Sequence, residues 1–192
     1  TGSTSGIGLG IATAFAKAGM DVTLNGLGDA AEIEKIRSGL ERDAGVAVRY
    51  DGANLMQAEG CASLVEGAIG SFGRLDVLVN NAGIQHVSPI EDFPVEKYNA
   101  IIALNLSSAF LTIRSAMKSM KAAKYGRIIN IASAHGHVAS PFKSAYVAAK
   151  HGIEVVVMTQ DVLDAEAEPK LPRIQGLGEI KIILIGGDDK GF

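Results

Sequence analysis

The chain of 192 residues is 47% hydrophobic, which is enough to bury one sizeable core, so a single main domain is expected. Its formal net charge is −3 and its 18 basic residues are spread along the chain, which argues against a nucleic-acid-binding or membrane-binding protein and favours a small-molecule partner. One cysteine excludes an internal disulfide, and neither a leader nor an apolar run of membrane-spanning length is recognised, so a cytoplasmic protein is expected.

Helical and strand patterns alternate along the chain. Apolar residues recur at helical spacing from Ile7 to Ala18, and DVTLNG then predicts a strand at 21–26. The pattern continues with a helix around 33–40, a strand at 46–50, a helix at 57–72, a strand at 75–80, a long helix at about 95–120, a strand at 127–133 and a helix from 144 onward. Strands that are apolar on both faces, alternating with helices, indicate an α/β fold with a doubly wound parallel sheet covered on both sides.

The two ends of the chain depart from this regular pattern. A doubly wound sheet needs a first strand in its centre, whereas the sequence opens directly on a glycine turn, so we expect the first strand to be lacking and the domain at 1–160 to be incomplete at its N-terminus. The segment 161–192 begins with a polar stretch without an apolar face and continues with a strand pattern at 180–187. We interpret it as a divergent C-terminal segment packed on the same domain.

The cysteine and three of the four histidines are interpreted as structural or exposed residues. Cys61 lies on an apolar stripe with Leu64, Val65 and Ala68, where core packing explains it. No histidine shows metal-ligand spacing with a carboxylate or a cysteine, so no metal site is expected. The three histidines without an expected role are His86, His137 and His151.

Two stretches predict the edge of the sheet at which a ligand binds. TGSTSGIG has the spacing GxxxGxG just before a helix, where glycines let the backbone approach a ligand and the helix N-terminus attracts an anion such as a pyrophosphate. Glycine-rich turns also begin ordinary helices, so the motif alone leaves that alternative open. LVNNAG at 78–83 ends a buried strand, and its asparagines either fix the carboxyl edge of the sheet or form a plain turn.

Ser133, Tyr146 and Lys150 form the constellation with the clearest chemistry. Tyr146 and Lys150 are four residues apart on a helix and project from one face, so the ammonium can lower the phenol pKa from its usual value of about 10. A tyrosine of this kind exchanges a proton with an alcohol or carbonyl, and the hydroxyl of Ser133 at the preceding strand end can hold the same oxygen. The alternative for the pair is a half-buried aromatic residue beside a solvated lysine.

Taken together, TGSTSGIG, NNAG and the Ser133, Tyr146, Lys150 spacing resemble the signature of the short-chain dehydrogenases/reductases. The resemblance implies a Rossmann-type fold and places a fourth catalytic residue at Asn105 in ALNLSS. It implies that Tyr146 is the general acid/base, that Lys150 lowers the tyrosine pKa and binds the nicotinamide ribose, that Ser133 orients the substrate and that Asn105 holds a water of a proton relay. The cofactor-binding residues that it implies are Gly2, Thr4, Ser5, Gly6, Ile7, Gly8, Leu27, Asn54, Leu55, Asn81, Ala82, Gly83, Tyr146 and Lys150.

Three further stretches, NGLGDAAEIE, NNAGIQHVSPIEDFP and IASAHGHVASPFKSAYVAAKHG, resemble the bacterial members of that family that oxidise D-3-hydroxybutyrate to acetoacetate. This resemblance implies a short 3-hydroxy acid as substrate, with its carboxylate and reacting carbon held by Gln85, Ser133, His135, Lys143 and Tyr146. A small hydroxy acid needs such a polar clamp. The end of the strand at 21–26 and the residue after it read Asn25, Gly26 and Leu27. Because none of these is an arginine or lysine that could bind the phosphate of NADP, NAD is expected.

Other functions remain open from the sequence. A reductase of the same family acting on a 3-oxoacyl thioester or a sugar is one alternative, and a non-catalytic nucleotide-binding protein of the same fold is another. The long helices at about 95–120 and 144–160 pack against a second subunit in that family, which implies a homotetramer.

Overall fold

The computed structural model describes residues 1–158 and 179–185, with the side chains of residues 1–154. Six α-helices in this part of the chain are α1 (Gly6–Lys17), α2 (Ala30–Ala44), α3 (Ala58–Phe72), α4 (Val95–Ile102), α5 (Ser108–Ala123) and α6 (Ser144–Met158). The strands are β1 (Val22–Asn25), β2 (Val48–Asp51), β3 (Val77–Asn80), β4 (Tyr125–Ile131) and β5 (Glu179–Ile185). All strand pairs are parallel, β1 with β2, β3 with β4 and β4 with β5, which confirms the expected α/β fold.

The sheets are held by apolar residues on the helices that cover them. On one side, Val65 of α3 and Met120 of α5 pack with Leu78 of β3 and Ile128 of β4. On the other, Ala12 of α1, Leu24 of β1 and Val48 of β2 form a second buried cluster. Burial of these side chains, about 1.5–3 kcal/mol for each large one, fixes the register that brings the carboxyl ends of β1, β2, β3 and β4 to one edge.

The strands fall into two sheets, β1–β2 and β3–β4–β5, separated by a cavity of about 400 Å³. Within residues 1–158 and 179–185 no strand lies between β1 and β3. The cavity is lined by apolar side chains including Phe15, Val22, Val77 and Val79. It lies between β1 and β3, at the position that corresponds to the centre of a doubly wound sheet.

The helix expected at about 95–120 is interrupted in its middle. A π-helical segment, Ala103–Ser107, separates α4 from α5 and contains Asn105. The stretch Val95–Ala123 is also long and apolar enough to cross a membrane by length and composition alone, and about one third of its apolar part (33%) is buried. In the described fold, α5 buries Ala116 and Met120 completely against α3 and β4, as a core helix does.

The segment 161–192 lies outside the described residues apart from β5. That strand continues the sheet beside β4, in register from Glu179 opposite Tyr125 to Ile185 opposite Ile131. The strand pattern at 180–187 therefore corresponds to a strand, while the division of the chain at residue 160 stays a prediction.

Candidate active site

The glycine turn at 2–8 runs into the N-terminus of α1. Gly2 and Gly6 have positive φ angles of 58° and 52°, which a residue with a side chain adopts only with strain. Gly8 is buried against the carbonyl oxygen of Gly2 and the Asn81 side chain, so even a methyl group there would collide. Glycine is thus favoured by the backbone conformation at Gly2 and Gly6 and by the lack of space at Gly8.

Two asparagines hold this turn from opposite sides. From the end of β1, the Oδ1 atom of Asn25 accepts from the Gly2 N–H (3.4 Å), and its Nδ2 atom donates to the carbonyls of Asp51 (3.0 Å) and Ala53 (3.1 Å). From the end of β3, the Nδ2 atom of Asn81 donates to the carbonyls of Thr1 (3.0 Å) and Gly2 (3.1 Å). The NNAG asparagine therefore fixes the edge of the sheet and is not a plain turn residue.

The space in front of α1 fits the diphosphate of a dinucleotide. A Cβ atom built on Gly6 would meet nothing within 4 Å, so the backbone there faces open space. The Ser5 side chain makes no capping hydrogen bond, and no acidic residue lies in the first turn, which leaves the first N–H groups of α1 available to an anion. Thr4 and the exposed Ile7 belong to the same turn.

The remaining residues expected to contact a cofactor lie along the same edge. Leu27, just beyond β1, is 69% exposed. Asn54 is exposed and its Oδ1 atom accepts from the Met56 N–H (3.0 Å), whereas the Leu55 side chain is buried in the core. Any contact of Leu55 with a cofactor would accordingly involve its backbone. Ala82 and Gly83 follow Asn81 and lie next to the glycine turn and Asn105 respectively.

The structure brings together Tyr146 and Lys150 as the sequence predicted. The Nζ atom of Lys150 lies 5.6 Å from the centre of the Tyr146 ring, and the lysine is only 5% exposed. Its ammonium donates to the carbonyl of Ile131 at the end of β4 (2.6 Å), which fixes its position. Ser133 is buried two residues after β4, and its hydroxyl accepts from the His135 N–H (3.2 Å), so the backbone presents all three groups to the same edge.

The candidate substrate residues divide into a pair in contact and a third on a neighbouring loop. The Nζ atom of Lys143 lies 3.4 Å from Nε2 of His135, and the His135 ring meets the Tyr146 ring edge-on with 6.1 Å between centres. A cation beside an imidazole and a phenol can bind a carboxylate next to a carbinol carbon. Gln85 is exposed on the loop after β3. Its place beside the pair stays a prediction.

The sequence pattern missed several residues that shape the site. Asn25 carries the hydrogen bonds that join the turn to β2, and Tyr50 donates to the carbonyl of Gly26 (2.8 Å). Their only signal was their position at the carboxyl ends of strands, where side chains of an open sheet meet a ligand. Cys61 is fully buried as predicted, and burial raises the pKa of its thiol.

The histidines without an expected role are structural or exposed. His86 packs edge-on against Phe93, His137 lies 3.4 Å from the Glu154 carboxylate, and His151 contacts the Val147 carbonyl on α6. In the part of the chain that the structure describes, no three histidine, cysteine or acidic side chains are grouped closely enough to hold a metal ion.

Comparisons with known proteins agree with this geometry. Residues 1–170 match the family model described as short chain dehydrogenase. D-beta-hydroxybutyrate dehydrogenase of Cupriavidus necator is 56% identical over 155 residues, which cover 80% of this chain and 58% of the relative. The protein of that name from Rhizobium meliloti is 52% identical over 167 residues, 87% of this chain and 65% of the relative. The chain thus spans about 58–65% of the length of these two relatives.

A solved structure from the same family has the same fold. A metagenomic short-chain oxidoreductase solved in complex with NADP superimposes with a TM-score of 0.83 at 28% identity, covering 96% of this chain and 78% of that one. The motif spacing, the parallel strands and the pairing of Tyr146 with Lys150 all agree with these similarities. The chain belongs to the short-chain dehydrogenase family.

Proposed function

We propose that the protein oxidises D-3-hydroxybutyrate to acetoacetate with NAD. The observation that carries the proposal is the contact of Lys143 with His135 at 3.4 Å, beside the Tyr146 ring and on the same edge as the glycine turn. A carboxylate bound there would place the neighbouring hydroxyl within reach of a tyrosine. The names of the two relatives above support the same substrate.

Tyr146 and Lys150 supply the proton chemistry in this proposal. The tyrosine, as phenolate, accepts the hydroxyl proton of the substrate while the hydrogen on the same carbon leaves as hydride and the carbonyl forms. Bound NAD supplies the hydride acceptor. The ammonium of Lys150 is buried and held by the Ile131 carbonyl, so its charge acts on the phenolate through a poorly screening environment. Ser133 donates a hydrogen bond to the substrate oxygen.

The substrate carboxylate is assigned to Lys143 and His135, with Gln85 completing the clamp. A lysine offers three donors and a full charge, which a thioester or a sugar does not need. The rival reductases for such substrates are therefore disfavoured by the Lys143–His135 contact. The pairing of Tyr146 with the buried Lys150 also favours an enzyme over a protein that only binds a nucleotide, because nucleotide binding alone needs no group for proton transfer.

NAD is preferred over NADP in this proposal because the loop after β1 offers no cation to a 2′-phosphate. Residues 25–34 contain no lysine or arginine. The carboxylate of Asp29 accepts from the N–H groups of Ala31 and Glu32 (both 3.0 Å), so it already occupies the N-terminus of α2. A relative solved in complex with NADP means that family membership alone does not give the cofactor, so the charge of this loop is the feature that supports NAD.

A homotetramer in the cytoplasm is part of the same proposal. Val95, Tyr98 and Phe110 on the α4–α5 stretch are 69%, 44% and 54% exposed, which is a large apolar area for an isolated surface. Association of two such faces would cover it. Light scattering at micromolar concentration tests this part, and a monomer mass would contradict it.

The substrate proposal is tested by following NADH formation with D-3-hydroxybutyrate, its L enantiomer, a sugar alcohol and a 3-hydroxyacyl thioester. Turnover of D-3-hydroxybutyrate well above the others is expected, with acetoacetate as product. Tyr146→Phe is the matched control because it removes only the reacting hydroxyl. Turnover of the thioester or the sugar alcohol alone would overturn the proposal in favour of a sister enzyme.

A further inference from the structure

Tyr50 of β2 reaches across to the loop that follows β1. Its hydroxyl donates to the carbonyl oxygen of Gly26 (2.8 Å), while its ring packs against the buried cluster of Ala12, Leu24 and Val48. The ring is thereby fixed by the core and its hydroxyl by the loop. Tyr50 therefore fixes the position of the loop after β1 relative to β2.

Two glycines, Gly52 and Gly26, lie where a larger side chain would disturb the Tyr50–Gly26 hydrogen bond or its surroundings. A Cβ atom on Gly52 would lie 2.9 Å from the Tyr50 hydroxyl, closer than real contacts allow. A Cβ atom on Gly26 would collide with the hydroxyl and methyl of Thr4, which belongs to the glycine turn. Gly26 is therefore enclosed between Thr4 on one side and Tyr50 on the other.

Asn25, the residue before Gly26, is also held in place by hydrogen bonds. Asn25 is 2% exposed and is bonded through its backbone to Ser3 (2.6 and 2.9 Å) and through its side chain to Asp51 and Ala53. A loop fixed at one residue by Asn25 and at the next by Tyr50 has no freedom to recede. The residues that follow, 27–29, are exposed and include no cation, so the fixed loop offers only backbone groups and uncharged or acidic side chains to a ribose bound there.

We propose that Tyr50 is a positioning residue that fixes residues 26–28 against the adenosine ribose and thereby strengthens the choice of NAD over NADP. This inference rests on the proposed function, because it assigns the ribose to this loop. Tyr50 itself takes no part in the chemical step. Its removal should consequently raise the KM for NAD and leave kcat unchanged.

The test is Tyr50→Phe, which keeps the ring and removes only the hydroxyl. Calorimetry should show NAD binding about two- to tenfold weaker, as for loss of one hydrogen bond, with a smaller loss for NADP, so that the ratio of the two affinities falls. Hydrogen exchange at the Asn25 amide, which donates to Ser3 Oγ (2.9 Å), should accelerate in the absence of any cofactor. Tyr125→Phe on β4, whose ring lies under Arg127 at 4.8 Å, is the control and should change none of these values.

Each outcome decides something different. Unchanged NAD affinity and unchanged exchange of the Asn25 amide in Tyr50→Phe would overturn the inference and leave the proposed function intact. Equal losses of affinity for both cofactors would overturn the role in discrimination. Failure of the unmodified protein to bind NAD at all would overturn the proposed function together with this inference.

Discussion

The side-chain amide of Asn105 is joined to the backbone of Ile84 by two hydrogen bonds. The Ile84 N–H donates to Oδ1 and Nδ2 donates to the Ile84 carbonyl, both over 2.9 Å. Asn105 is 2% exposed and lies in the π-helical segment between α4 and α5. The contact fixes the loop after β3, and with it Gly83 and Gln85, to the helix that crosses the site.

Asn105→Asp should test this connection. The carboxylate keeps an acceptor for the Ile84 N–H but no longer donates to the Ile84 carbonyl, which is left opposite a negative charge. We expect the free energy of unfolding to fall by about 1–3 kcal/mol and activity to fall with it. Urea denaturation followed by circular dichroism measures the first quantity. Asn99→Asp, an exposed position on α4, is the control, and equal stabilities of the two variants would contradict the expectation.

The sequence and the structure agree most closely where spacing alone decides the geometry. Tyr146 and Lys150 share a helix face because they are four residues apart, and Cys61 is buried because its stripe is apolar. The π-helical interruption at Asn105 and the contact of Tyr50 with Gly26 were not predictable in this way. Both involve contacts between residues more than twenty positions apart in the sequence, and local periodicity cannot predict such contacts.

The variants Lys143→Ala and Lys150→Ala should lose activity through different kinetic parameters. Loss of Lys143 removes a charged partner of the substrate, worth about ten- to a hundredfold in binding, and should appear mainly as a raised KM for D-3-hydroxybutyrate. Loss of Lys150 removes the buried cation beside Tyr146 and destabilises the phenolate, so kcat should fall and its pH profile should move toward alkali. Steady-state kinetics at several pH values separates the two. An unchanged KM in the first variant, or an unmoved profile in the second, would refute the assigned division of roles.

Asp29→Ser should make the protein more tolerant of NADP. Serine also caps a helix, so α2 keeps its start while the negative charge at its N-terminus disappears. We expect NADP affinity to rise about two- to fivefold, since one charge near a helix end contributes about 0.3–1 kcal/mol. Asp43→Ser removes the same charge from the other end of α2 and is the control. Equal NADP affinities for both variants would argue against the Asp29 carboxylate as the deciding charge.

We propose that this site oxidises a short 3-hydroxy acid by hydride transfer to NAD. The most direct measurement is kcat/KM for D-3-hydroxybutyrate and for its methyl ester, with NAD, in the unmodified protein and in Lys143→Ala. We predict that the acid is preferred over the ester by the unmodified protein, that acetoacetate is formed, and that Lys143→Ala loses most of this preference. Equal kcat/KM values for acid and ester in the unmodified protein would contradict the account.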